Sequence, residues 1–114
     1  MLISHSELFA FPWQTAVINP AGIAGIVTIE GNCSNQSQNV AVLAKIQTLF
    51  LFGDHTSDFS NWVANVQGCQ KLVQQVKAAG GDMTLVLLPD VGVFGNSHMM
   101  MLDKNNLMVS GLID

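Results

Sequence analysis

The chain has 114 residues, of which 11% are charged, against about a quarter in an average soluble domain. Four Lys, no Arg and eight Asp and Glu give a formal charge of -4, so nothing could neutralise a run of phosphates and no nucleic-acid partner is expected. The longest apolar runs, Ile23 to Ile29 and Thr48 to Phe52, are far shorter than the ~20 residues of a membrane-spanning helix, which argues against an integral membrane protein.

In chain order, short β-like runs alternate with helix-like stretches, the pattern of an α/β fold with a mostly parallel sheet. Met1 to Ile3 reads as the tail of a strand. A helix is expected from about Leu8 to Ile18, with Pro12 acceptable only in its first turn. Gly22 to Ile29 reads as a strand buried on both faces, with Glu30 directly after it. Gly31 to Asn39 is polar and turn-forming and reads as a surface loop.

Ile46 to Phe52 is a second buried strand, closed by Gly53-Asp54-His55. From Ser60 to Ala79, Val63, Val66, Val73 and Val76 recur at helical spacing, with Asp58 or Ser60 able to cap the start and Gly80-Gly81 to stop the helix. Met83 to Leu88 is a further buried strand. A loop containing Pro89, Gly92 and Gly95 leads to His98, and a final helix is expected from about Asp103 to Ile113.

In such a layout ligands bind outside the carboxyl ends of the strands. Four positions there carry chemistry: Ser6 in Ser4-His5-Ser6-Glu7-Leu8, then Glu30, Asp54 and His98. Serine, acid and histidine in that order suit acyl transfer. A serine hydroxyl becomes a nucleophile only when a histidine takes its proton, and a carboxylate must orient and stabilise that histidine.

Gly53-Asp54-His55, Ala78-Ala79-Gly80-Gly81, Leu88-Pro89, Gly92-Val93 and above all Gly95-Asn96-Ser97-His98-Met99-Met100-Met101 with Asp103-Lys104-Asn105-Asn106 resemble a group of bacterial and fungal α/β-hydrolase-fold serine esterases. In that group the nucleophile lies in Gly-His-Ser-Gln, the acid is a glutamate after the next strand, and the histidine follows Asn-Ser. The resemblance implies Ser6, Glu30 and His98 as the triad and the backbone N–H of Glu7 as an oxyanion donor. Asp54 is an alternative acid, with a structural role favoured. The implied substrate is a small or apolar ester, and no cofactor is implied.

In the nucleophile turn, Ser4 is small where a small residue is needed, but Leu8 is not, and it is expected to widen the turn or displace Ser6. The resemblance also implies a second oxyanion donor from a loop upstream of the nucleophile. The chain therefore reads as one partial α/β-hydrolase domain, residues 1–114: the C-terminal part of the fold, about four mostly parallel strands with flanking helices. It is expected to be a truncated chain inactive alone, or a non-catalytic remnant acting as a binding or assembly module. A partial sheet leaves a free edge strand, so self-association is expected.

His5 and His55 have no ligand-spacing partners and read as supporting or surface groups, so no metal site is expected. Met99 to Met101 reads as packing. Cys33 and Cys69 have neither C-x-x-C nor zinc spacing and leave the redox compartment open, so localisation is unassigned.

Overall fold

A computed structural model describes residues 1–113 of the chain. Four strands, β1 (Leu2–His5), β2 (Gly25–Ile29), β3 (Gln47–Phe52) and β4 (Met83–Leu87), form one sheet in the order β1-β2-β3-β4, with every pair parallel. Parallel neighbours need crossovers, supplied by α1 (Ala10–Ile18), α2 (Val40–Leu43) and α3 (Ser60–Ala78).

Right-handed crossovers that step across a sheet in one direction leave their helices on one face. Accordingly Trp13 and Ala16 of α1, Leu43 of α2 and Val66, Leu72 and Val76 of α3 share a core with Ile26, Phe50 and Phe52. After β4 the chain passes to the other face, where Met100 and Val109 pack on Val27, Ile29 and Leu51. The alternation of Phe50, Leu51 and Phe52 between the two cores is the period of two that a strand imposes.

The C-terminus of α3 is fixed by its glycines. Gly80 takes φ +82°, its N–H donates to Lys77 O at 2.9 Å, and the Gly81 N–H donates to Val76 O at 2.9 Å, the pair of bonds that closes a helix through a left-handed residue. Gly81 also admits no side chain, since a Cβ there would lie 2.5 Å from Ala44 Cα.

Several local expectations are corrected. The N-cap of α3 is Phe59, with no side-chain cap; the carboxylate of Asp58 is turned to His55 Nδ1, 2.6 Å away. The final helix, α4, spans only Asn106–Ser110, because Asp103 accepts from the Ser97 N–H at 2.6 Å and the Ser97 hydroxyl at 2.9 Å instead of entering a helix. The four residues of α2 were unforeseen. Of the three methionines Met100 is buried, whereas Met99 and Met101 are exposed.

Cys33 and Cys69 form a disulfide with Cα atoms 5.1 Å apart, tying the loop after β2 to α3. Among the described residues β1 is an edge strand of the sheet. Around it Met1, Ile3, Leu8 and Phe11 are all more than half exposed.

Candidate active site

The register pairs His5 with Ile29, so Ser6 and Glu30 are the residues immediately beyond the ends of two adjacent strands. Both leave their strands through a left-handed backbone, φ 55° for Ser6 and 50° for Glu30. Non-glycine residues adopt this conformation at a cost, and such strain collects at functional sites. Asn35 is the one other non-glycine residue with positive φ among those described.

Ser6 begins a 3-10 turn, Ser6–Phe9, that runs into α1, with Pro12 in the first turn of that helix. Leu8 turns out of the bend and is 59% exposed, so its branched side chain does not crowd the backbone. The expected displacement of Ser6 is not seen: Ser6 Oγ lies 2.8 Å from His98 Nε2.

On the other side of the imidazole, His98 Nδ1 is 3.4 Å from Glu30 Oε2. A carboxylate can only accept, so Nδ1 carries the proton and Nε2 is left to accept from the serine hydroxyl. The distance is at the long end for a hydrogen bond, as is common before substrate closes a site. Glu30 is 6% exposed. Its Oε1 accepts from the Gly53 N–H at 2.5 Å, which fixes the carboxylate with its second oxygen toward His98. A side chain at Gly53 would be tight: a Cβ would sit 3.0 Å from Asn96 O and 3.1 Å from Glu30 Oε1.

Asp54 does not reach His98 as a partner. Its carboxylate accepts from the Gly95 N–H at 2.7 Å, the Asn96 N–H at 3.3 Å and Asn96 Nδ2 at 3.2 Å. It therefore anchors the loop that delivers the histidine. Burial pushes its carboxyl up, but these hydrogen bonds, with His55 nearby, outweigh that and hold it below the ordinary aspartate value.

The imidazole of His98 is close to two rings, His5 with centroids 4.8 Å apart and Trp62 at 5.4 Å. His5 Nε2 is also 2.7 Å from the His98 carbonyl oxygen. His55 lies outside the site, paired with Asp58 at the surface; that hydrogen bond and the charge behind it raise its pKa above the ordinary histidine value. Beside Ser6 a cavity of about 450 Å³ is lined by Phe9, Asn32, Asn61, Trp62 and Asn65 as well as Ser6, Glu7 and Glu30. Among the described residues no group of three or more His, Cys, Asp and Glu gathers as metal ligands, and no helix is long and apolar enough to cross a membrane.

Sequence reasoning missed Trp62 and Asn65. Both sit on the face of α3 that carries buried Val66 and Cys69, and an aromatic and an amide bordering an otherwise apolar stripe were the available signal.

No family model matches the chain, and no curated protein matches it. Among solved structures it is similar to one described as the atomic-resolution structure of a novel bacterial esterase, with 43% identity and a TM-score of 0.93. That likeness covers 99% of this chain and 36% of the other. At that identity and overlap the two share the α/β fold over nearly all of this chain.

Proposed function

We propose that the chain carries the catalytic constellation of an α/β-hydrolase-type serine esterase, with Ser6 as nucleophile, His98 as general base and then acid, and Glu30 as the orienting carboxylate. The observation that carries this reading is the 2.8 Å approach of Ser6 Oγ to His98 Nε2, with Glu30 on the other ring nitrogen. Similarity to a bacterial esterase supports it.

The chemistry follows from the geometry. Ser6 Oγ attacks the ester carbonyl carbon as His98 Nε2 takes its proton. The negative charge moves to the carbonyl oxygen, beside the backbone N–H of Glu7. Collapse expels the alcohol, which takes the proton back from Nε2, and leaves an acyl group on Ser6. Water, deprotonated by His98, repeats the sequence and releases the acid. The Glu30 carboxylate orients His98 and stabilises the imidazolium. The substrate class is a small or apolar carboxylic ester, consistent with a cavity bordered by Phe9 and Trp62.

This chain spans about a third of the length of the esterase it resembles. In such folds a second oxyanion donor comes from a loop after an early strand. Loss of one such donor costs on the order of a hundredfold to a thousandfold in turnover, so residues 1–114 acting without it would be a weak esterase at most. A second reading, a non-catalytic binding or assembly module, is favoured by the exposed apolar residues along the free edge of β1.

A fluorophosphonate probe separates the two. Covalent labelling that disappears in Ser6→Ala supports the esterase reading; a folded chain that takes no label leaves the module.

A further inference from the structure

The backbone that follows Glu30 is held by one face of α3. Asn65 Nδ2 donates to the Gly31 carbonyl oxygen at 2.6 Å. One turn along the same face, Cys69 is bonded to Cys33. Gly31 itself is wedged, since a Cβ there would lie 2.2 Å from Thr28 Cγ2 and 2.9 Å from Phe9 Cβ.

Glu30 needs such support. At φ 50° it occupies a conformation that persists only where its surroundings over-determine it. From β3 and the residue just after it come two restraints, the Leu51 carbonyl oxygen on the Glu30 N–H at 2.9 Å and the Gly53 N–H on Oε1. Both act on Glu30 itself. The α3 contacts act on the next residues, 31 and 33, and so resist relaxation of the turn toward extended backbone, which would swing the carboxylate away from His98.

We propose that Asn65 and the Cys33–Cys69 bridge are positioning elements for Glu30, holding its left-handed turn so that Oε2 faces His98 Nδ1. The proposal rests on the reading of Glu30 as the triad acid. The bridge is suited to a lasting role: Cys33 is 8% and Cys69 0% exposed, and limited access slows attack by an external thiolate.

The test uses the full chain, the isosteric variant Asn65→Leu and the double variant Cys33→Ala/Cys69→Ala. One readout is hydrogen exchange of the Gly53 amide, whose N–H bonds the Glu30 carboxylate; the amides of Phe50 and Leu72 serve as references for general loosening. The other is the rate of fluorophosphonate labelling at Ser6. The expected result is exchange at Gly53 at least tenfold faster with the reference amides little changed, and labelling at least tenfold slower with its half-saturating probe concentration unchanged. Gly53 exchange within twofold of wild type in Asn65→Leu overturns the proposal, and that variant decides if the double variant does not fold. Absence of labelling in the wild type counts against the esterase reading alone, because Gly53 exchange still reports whether α3 holds Glu30.

Discussion

The ring of His5 donates through Nε2 to the carbonyl oxygen of His98, 2.7 Å away. A carbonyl only accepts, so the proton sits on Nε2. The residue before the candidate nucleophile thus ties down the backbone of the candidate base, 93 positions later in the chain. His5→Leu removes the donor at similar size and is expected to slow labelling of Ser6 about tenfold, in line with small misplacements of reacting groups. His5→Gln, which can present an amide N–H, is expected to retain most of the rate. Equal rates in the two variants contradict the assignment.

Gly31 and Gly68 make a matched pair of opposite sign. Adding a Cβ at Gly31 drives it into Thr28 and Phe9, whereas nothing lies within 4 Å of one at Gly68, within α3. Gly31→Ala is expected to destabilise by about 1–3 kcal/mol through overpacking. Gly68→Ala is expected to stabilise by about 0.5–1 kcal/mol, because alanine loses less backbone freedom in a helix. Chemical denaturation of the two variants checks both signs.

Asp54 makes the His98 loop sensitive to acid. Its folded pKa is lowered from the ordinary 3.8, so its contribution is fully present above that value and is lost as pH falls through the folded value. Thermal melting of the wild type should therefore decline below about pH 4. Asp54→Ala is expected to cost about 2 kcal/mol at neutral pH, the scale of hydrogen bonds to a charged group, and to flatten the acid limb of the profile. The exposed His55–Asp58 pair runs in the opposite sense. With the His55 pKa raised from 6.5, its small contribution is present below that pH and fades as pH rises through the folded value.

The free edge of β1 is expected to drive self-association. Ile3 lies on that edge strand and is 54% exposed; a lysine there is a common means of blocking edge pairing. Sedimentation velocity should show concentration-dependent oligomers of the wild type and a shift toward monomer in Ile3→Lys. A wild type monomeric at all concentrations contradicts the expectation.

The strands were legible because each buried run is short, continuous and bounded by turn residues, and α3 because its apolar spacing ends at two glycines. Boundaries drifted where a side chain found a tertiary partner: Asp103 bonds Ser97 rather than starting a helix, and Asp58 faces His55 rather than capping α3. Ser6, Glu30 and His98 could be named from strand ends and motif. Their approach depends on left-handed turns and on the register of β1 with β2, which no local pattern encodes. Leu8 illustrates the limit. Its size suggested a crowded turn, but crowding depends on which way the side chain points, and that is set by the 3-10 geometry of residues 6–9.

The Cys33–Cys69 bond closes a covalent ring that contains α2, β3 and the first half of α3, while β1, β2, β4 and all three candidate triad residues lie outside it. A protease cut within the exposed stretch from Ser57 to Asn61 would therefore open the ring without dividing the molecule. The nicked chain would keep its mass on a non-reducing gel and fall into two pieces only on reduction. Ser6 and Glu30 would then be on the N-terminal piece and His98 on the other, two parts of the candidate site joined by a single pair of sulfur atoms.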